Sequence, residues 1–299
     1  MSNLIGLQAS KDFDKAKNKA VFLEIMNILR PEKKELLSFY DIKSLVKPMS
    51  EVYRGMKAVN ISDIVGSEGR YHDFNKTFLP KKEHLRARWV RIDTAYHTDV
   101  NLPPIRLYKL GDVYFVRDGN HRVSVARSQG VGAIDAEVVE LTTMISITPD
   151  MSKDDLVREV IKFEKKRVIE ETEIDKVIEM ENINFTTPGC FDEMLRHIMG
   201  HKYFINQRLE KEIPFSAAAE SWYINLYHPI LKIIQRQNLL ARFPGRTEGD
   251  LYLWIVKHWD NLKRKYGQEF PLEEAAVQYA EHHGDNFLRR LIFRLKNLF

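Results

Sequence analysis

A run of five residues, DGNHR, combines side chains that bind negatively charged groups with the residue that a tight turn requires. Arg122 can make a bidentate, charge-assisted contact with a phosphate, and Asn120 and His121 supply further polar groups. Gly119 has no Cβ, so the backbone can approach a ligand closely. These residues predict an anion site, with the alternative that Asp118 or Asn120 only caps a structural helix and Arg122 points into solvent.

The run lies between a predicted strand and a predicted helix. Val113–Val116 alternates as a strand does and is rich in β-branched and aromatic residues. Helical spacing follows over His121–Gln129, Gly130 is placed to end that helix, and Ala133–Leu141 predicts the next strand. Because the first N–H groups of a helix lack internal partners and its dipole is positive there, this strand–turn–helix unit favours phosphate binding.

The sequence DGNHRVSVARSQG resembles the signature of the ParB/sulfiredoxin superfamily. At this turn ParB proteins have Gly-Glu-Arg-Arg-x-Arg-Ala, sulfiredoxins have Gly-Cys-His-Arg, and a free serine kinase of the same fold has Asp-Gly-His-Thr-Arg. Val59–Val65 resembles the first strand and helix start of the ParB core, and Pro103–Tyr108 resembles its strand before the turn. The resemblance covers about Lys57 to Leu141.

The resemblance and the flanking patterns together predict an α+β protein in three parts. A helical N-terminal arm is expected over residues 1–55, and a small mixed-sheet ParB/sulfiredoxin-like core over residues 56–150. An all-helical domain, predicted from apolar stripes at helical spacing, is expected over residues 151–299.

Residues 66–91 interleave arginines and lysines with aromatic residues, a composition that can hold a phosphate backbone or a nucleotide base. In a ParB-like core this segment follows the first strand, on the same rim as the glycine turn. The resemblance therefore implies that Arg70 and His72 lie near a bound phosphate. For Arg86–Arg91 we favour a solvated basic surface with its aromatic residues in the core.

The first functional hypothesis is a nucleotide-phosphate-binding, ParB-like protein that acts on DNA as a regulator. The resemblance implies ATP or CTP with Mg²⁺ as the ligand, and the predicted binding residues are Gly119, Asn120, His121, Arg122, Ser124 and Arg70. No helix-turn-helix pattern follows the core, and ParB's Glu-Asn-x-Gln-Arg motif has no counterpart around Ser152–Arg167. Both absences disfavour a CTP-dependent DNA clamp.

The second hypothesis is a nucleotide-dependent phosphotransferase that acts on a small hydroxyl compound, as the serine kinase resemblance implies. Asp118 would orient or deprotonate the acceptor, and His121 and Arg122 would neutralise charge on the transferred group. Sulfiredoxin chemistry is excluded, because Asn120 stands where that family has its reactive cysteine. The chain's single cysteine, Cys190, is far away in sequence.

The composition of the chain limits the kinds of partner and site that it can have. A net charge of +4 in 299 residues permits contact with nucleic acid without requiring it. One cysteine excludes an internal disulfide and a cysteine-based zinc site. With neither a signal-peptide pattern nor an apolar run of about 20 residues, we expect a cytoplasmic protein without a membrane span.

Two helical patterns have a weaker functional interpretation. Glu193, His197 and His201 share one helix face, but an interdomain packing face or a hydrogen-bonding face is favoured over metal, and no metal site is predicted. Asp285–Phe299 predicts a basic amphipathic helix that packs on its own domain or on a second subunit as a homodimer, with an acidic membrane or a groove as the alternative.

Overall fold

The computed structural model describes residues 2–29, 36–98, 100–207 and 209–284. Contacts divide the chain into two compact units, Met1–Glu159 and Val160–Phe299. The predicted arm and the predicted core therefore fall in one unit. The reason is visible in helix α1, Ser2–Leu29, which buries Phe13 and Ala16 in the same apolar cluster as residues of the sheet.

The first unit contains a six-stranded mixed sheet in the order β1-β3-β5-β4-β6-β2. Its strands are β1 Leu37–Ser38, β2 Ser50–Asn60, β3 Ile64–Ser67, β4 Ile105–Leu110, β5 Val113–Asp118 and β6 Ala133–Thr142. The β1/β3, β3/β5 and β4/β6 pairs are parallel, whereas β4/β5 and β2/β6 are antiparallel. The predicted α+β class is confirmed.

Strands β4 and β5 form the buried centre of the sheet. Ile105, Leu107, Val113 and Phe115 are almost completely removed from solvent, as expected of strands covered on both sides. Strand β2 is different, because it lies at the edge of the sheet and nearly all of its residues are exposed. The predicted helical arm, residues 1–55, wrongly includes the first half of β2, because an exposed edge strand has no apolar alternation that identifies it.

Three helices of this unit matter for the site: α1, α3 Arg86–His97 and α4 Asn120–Ser128. Trp89 of α3 is fully buried, and its ring meets that of Phe13 of α1 edge to face at 5.7 Å. Aromatic pairs of this geometry add to the stability gained by burial. Helix α2, Phe39–Val46, follows directly after β1.

Helix α5, Lys153–Thr172, contains the boundary between the two units. The described residues of the second unit form no strand, in agreement with the predicted all-helical domain. Its helices after α5 are α6 Cys190–Asn206, α7 Phe215–Trp222, α8 His228–Arg236, α9 Glu248–Tyr266 and α10 Leu272–His283. A π-helical segment, Tyr223–Tyr227, joins α7 to α8. Pro229 lies in the first turn of α8 and does not interrupt the helical backbone there.

His197 and His201 of α6 have hydrogen-bonding partners within the second unit. His197 Nδ1 lies 3.0 Å from the Tyr252 hydroxyl, and His201 Nε2 lies 3.0 Å from Ser221 Oγ. This arrangement agrees with the hydrogen-bonding face favoured by the sequence.

Among the helices described, none combines the length and apolarity that crossing a bilayer requires. The predicted amphipathic helix at Asp285–Phe299 lies outside the described residues.

Candidate functional site

A polar cleft with a volume of about 270 Å³ lies at the end of strand β5. Strands β3 and β5 are parallel neighbours, with Ser67 opposite Val116, so their carboxyl ends meet at the same edge of the sheet. Ligands of open sheets that contain parallel strands bind at such an edge. We call it the basic cleft, and it is lined by Glu68, Gly69, Arg70, Arg88, Ile92, Arg117, Asp118, Gly119, Asn120, His121 and Arg122.

The turn into α4 depends on Gly119. Its φ of 104° lies in the region that L-residues with a side chain avoid. A Cβ added there would lie 2.5 Å from Cγ2 of Ile105 in the neighbouring strand. Glycine is therefore required for two separate reasons, its backbone conformation and the close approach of β4.

The N-terminus of α4 has no side-chain cap. Gly119 is the N-cap residue, and no side chain accepts a hydrogen bond from the first turn. The first N–H groups of the helix therefore have no intrahelical acceptor, and they lie among residues that line the basic cleft. The alternative of a helix capped by Asp118 or Asn120 is wrong. The geometry instead leaves donors that an anion can accept from.

Charge in the basic cleft favours an anion. Four arginines and two carboxylates line it. Positive charge concentrated in a concave site, where solvent screens less than on an open surface, attracts phosphate and other oxyanions.

Arg122 lines the basic cleft, but its guanidinium also binds the protein. Nη2 donates to Asp118 Oδ2 at 2.6 Å, and Nη1 donates to the carbonyl oxygens of Pro103 and of Pro104, the latter at 2.9 Å. Its side chain is only 12% exposed, so the alternative of a solvated Arg122 is wrong. Arg122 therefore holds the turn and the entry to β4 in place, and it is also one of the residues that line the cleft.

Two further arginines, Arg88 and Arg117, were not among the predicted site residues. Arg117 stacks over the Tyr108 ring at 5.5 Å. Arg88 has no hydrogen-bond or ion-pair partner among the described residues, so its charge is free for a ligand. Arg88 and Ile92 are four residues apart on α3, so they lie on one face of the helix and line the cleft together.

The predicted surface role of residues 86–91 fits Arg86 rather than Arg88. Arg86 forms ion pairs with Asp14 and Glu83, both on the outer surface of the first unit. Exposed ion pairs of this kind contribute little to stability. The two neighbouring arginines therefore differ in role, and only Arg88 belongs to the basic cleft.

His121 is the most buried ionisable side chain of the basic cleft, with 7% of the residue exposed. Its Nδ1 is buried and has no hydrogen-bond partner among the described residues. Burial, reinforced by the nearby charges of Arg88 and Arg70, lowers the pKa of His121 to about 4. His121 is therefore neutral at pH 7 without a ligand, and the predicted role of neutralising phosphoryl charge does not hold for this state.

The depressed pKa makes stability depend on pH. Between about pH 6.5 and pH 4 the unfolded chain binds a proton at His121 that the folded chain excludes, so stability falls as the pH falls. We expect His121→Gln to remove this contribution, which has a maximum slope of about 1.4 kcal/mol per pH unit. Urea denaturation at a series of pH values measures it. The exposed His282→Gln should keep the wild-type slope, and an equal slope in His121→Gln would contradict the assignment.

Asn120 lies beside His121 in the basic cleft, and its side-chain oxygen is also buried without a partner among the described residues. A carboxamide presents both a donor and an acceptor, so it can bind either a phosphate oxygen or a hydroxyl. Unpartnered buried polar atoms are costly. The two atoms belong to consecutive residues that both line the cleft.

Arg70 lines the basic cleft as predicted, at the end of β3. Its Nη1 donates to Asp73 Oδ2 at 2.9 Å, and Asp73 also accepts from Lys82 at 3.0 Å. The Arg70 charge is therefore partly balanced. His72, predicted near the same site, is not among the residues that line the cleft.

Ser124 does not line the basic cleft, although it was predicted to bind the ligand. It is fully buried, and its Oγ accepts a hydrogen bond from Trp89 Nε1 at 2.9 Å. The side chain faces α3, where Trp89 lies. Its role in the fold is to satisfy the indole N–H.

The hydrogen bond between Trp89 and Ser124 predicts that a change at Ser124 alters stability but not nucleotide binding. Ser124→Ala leaves the buried Trp89 N–H without an acceptor, so we expect a loss of about 1–2 kcal/mol in the free energy of unfolding. Nucleotide affinity should be unchanged. Ser128→Ala, an exposed change on the same helix, should alter stability by less than about 0.5 kcal/mol. A loss of affinity in Ser124→Ala at unchanged stability would restore Ser124 to the site.

Few groups in the basic cleft could bind Mg²⁺. The lining carboxylates are Glu68, which accepts a hydrogen bond from the Tyr40 hydroxyl at 2.7 Å, and Asp118, which is paired with Arg122. Mg²⁺ in nucleotide sites usually keeps several waters and takes one or two carboxylates together with phosphate oxygens. The donor set fits an ion that enters with a nucleotide rather than one held by protein alone.

No protein-family model and no curated protein matches this chain. Two solved structures of a pNOB8-like ParB N-domain are similar to it. One, the C2221 form, is 13% identical, has a TM-score of 0.22, and is matched over 75% of this chain and 87% of that one. The other is 12% identical, with a TM-score of 0.21 and 82% of its chain covered. At these TM-scores neither structure supports an inference about ligands, and the family resemblance stays a prediction.

Proposed function

We propose that this chain binds the phosphates of a nucleotide, such as ATP or CTP with Mg²⁺, in the basic cleft. The observation that carries the proposal is the convergence of four arginines on the uncapped start of α4. Main-chain N–H groups, a positive helix end and guanidinium groups all favour the same ligand charge.

The size of the basic cleft specifies which part of the ligand it holds. About 270 Å³ is slightly below the range of roughly 300–1,000 Å³ for sites that enclose a whole small molecule. The phosphates fit inside, and the ribose and base extend toward the opening. Recognition of the phosphates therefore dominates the affinity, and nucleotides with different bases should bind with similar strength.

Arg88 gives the cleanest test of this proposal, because its charge has no partner among the described residues. We expect Arg88→Gln to weaken nucleoside triphosphate binding by about 10–100-fold, the effect of one charge-assisted contact. The measurement is calorimetric titration of the full chain with ATP and CTP in the presence of Mg²⁺.

Arg91→Gln is the matched control for this measurement. Arg91 is exposed, lies three residues further along α3, and does not line the basic cleft. Its change removes the same charge from the same helix, so a general electrostatic effect would appear in both variants. Equal affinities of Arg88→Gln, Arg91→Gln and wild type would contradict the proposed site.

A second candidate function is phosphotransfer from the bound nucleotide to a small hydroxyl compound. The observation that favours it is the position of Asp118, which lines the basic cleft and whose side chain is 56% exposed, within reach of an incoming acceptor. Incubation of the chain with ATP, Mg²⁺ and a set of small alcohols, followed by product analysis, tests it. Formation of a phosphorylated alcohol would support phosphotransfer. Unchanged ATP would indicate a protein that binds the nucleotide without transferring its phosphate.

For a macromolecular partner we propose DNA. The nucleotide-bound chain would contact it in a regulatory role. Its support is the sequence resemblance together with the basic character of residues 66–91. Binding of DNA by lysine and arginine contacts weakens steeply with salt. Fluorescence anisotropy with duplex DNA at two salt concentrations, with and without nucleotide, measures this. A salt-independent signal would argue against it.

A further inference from the structure

Three side chains with metal-binding atoms meet between helices α1 and α3. They are Asp12 of α1 and Asp93 and His97 of α3, and none of them lines the basic cleft. Their ligand atoms all lie within 4.8 Å of one another. Asp93 and His97 are four residues apart, which places them on the same face of the helix.

Asp93 is the observation that indicates a ligand. Its side chain is 0% exposed. Gln129 Nε2 donates to Oδ1 at 2.8 Å, but Oδ2 has no hydrogen-bond partner among the described residues. A buried carboxylate oxygen without a partner is costly, and buried charges in proteins are normally paired or bound to metal. Oδ2 is also the atom that faces His97 Nε2, at 3.5 Å.

We propose that Asp12, Asp93 and His97 bind a divalent transition-metal ion of the zinc class. Carboxylate oxygen and imidazole nitrogen are the donors that such ions accept together. Two carboxylates also supply the charge that balances a divalent cation.

The two distances from His97 match this coordination. In a tetrahedral zinc site, bonds of about 2.0–2.1 Å place neighbouring ligand atoms about 3.4 Å apart. His97 Nε2 lies 3.5 Å from Asp93 Oδ2 and 3.6 Å from Asp12 Oδ2. A protonated His97 bonded to both carboxylates would give shorter separations, near 2.7–2.9 Å. The observed spacing is that of atoms that share an ion rather than a proton.

The surroundings provide orientation and access. Gln129 fixes the Asp93 carboxylate, and Gln8 Nε2 donates to Asp12 Oδ1 at 3.1 Å and Oδ2 at 3.3 Å. Partners of this type hold metal ligands in place. The side chains of His97 and Asp12 are 33% and 21% exposed, so an ion can enter from solvent and water can fill the fourth position. The bound ion joins α1 to α3, which makes its role structural.

The test uses the full chain, freed of metal by a chelator and then titrated with Co²⁺ and Zn²⁺. We expect one equivalent of Co²⁺ to give the visible absorption of a four-coordinate site, Zn²⁺ to displace it, and Zn²⁺ to raise the Tm. Mg²⁺ should do neither, because it prefers six oxygen ligands. A chain that gives no stoichiometric Co²⁺ spectrum and no Zn²⁺-dependent Tm shift overturns the proposal.

Two variants locate the site. Asp93→Asn and Asp12→Asn should each weaken Zn²⁺ binding by at least about 100-fold, while Asp112→Asn, an exposed change of the same type, should bind as wild type does. Without metal, Asp93→Asn should be at least as stable as wild type, since it removes an uncompensated buried charge. If Asp93→Asn does not fold, Asp12→Asn alone decides. Wild-type affinity in the folded variants overturns the assignment.

Discussion

Gly119→Ala should both destabilise the first unit and abolish nucleotide binding. An alanine at φ 104° costs about 1–2 kcal/mol, and its Cβ would lie 2.5 Å from Ile105 Cγ2, which adds roughly 1–3 kcal/mol of overpacking. We therefore expect a loss of about 2–5 kcal/mol in urea denaturation. The turn must shift to relieve the contact, so the N–H groups of α4 move and affinity for nucleotide should fall by at least about 100-fold.

Gly130→Ala is the control that separates the two causes. Gly130 also has a positive φ, 73°, but an added Cβ would meet nothing within 4 Å. It should lose only the backbone contribution of about 1–2 kcal/mol and retain wild-type affinity. If the two variants were equally stable and bound nucleotide equally well, the close approach of Gly119 to β4 would have no role in the site.

Arg122→Ala should have the second-largest effect. The change removes the ion pair with Asp118 and leaves the carbonyl oxygens of Pro103 and Pro104 without their donor. We expect a stability loss of about 2–3 kcal/mol, together with a fall in nucleotide affinity of about 100-fold, measured by denaturation and by calorimetry on the same samples. Arg122→Lys keeps the charge but lacks the planar, two-armed guanidinium that contacts Asp118 and the two carbonyl oxygens, so it should recover only part of either loss.

Arg106→Ala provides the comparison for a surface arginine. Arg106 Nε donates to Glu137 at 3.0 Å, but its side chain is mostly exposed, so its loss should cost less than about 1 kcal/mol and leave binding intact. Equal effects of Arg106→Ala and Arg122→Ala on binding would show that only the net charge of the chain matters.

The local part of the site could be predicted from the sequence. Strand β5, the glycine turn and helix α4 occur where predicted, with α4 beginning at Asn120 rather than His121. Strand alternation, turn residues and helical spacing are short-range signals, and they act within a dozen or so residues. The prediction of Gly119 at the turn follows from the same local chemistry.

The parts that depend on tertiary contacts could not be predicted. Arg88 reaches the basic cleft only because α3 packs beside α4, and Ser124 turns inward only because Trp89 needs an acceptor. The first half of strand β2 was missed because its exposure at the sheet edge removes the apolar alternation. The carboxylates of Asp12 and Asp93 come from different helices, so no spacing in the sequence brings them together.

The central claim is that phosphate groups bind at the start of α4. The most direct measurement is an amide ¹H–¹⁵N NMR titration of the full chain with a nucleoside triphosphate, with the same nucleoside without phosphates, and with inorganic triphosphate. We predict that both phosphate-bearing compounds shift the resonances of Gly119, Asn120, His121 and Arg122, and that the nucleoside does not. Saturable binding that leaves these four amides unshifted, or shifts them equally with the nucleoside alone, would contradict the claim.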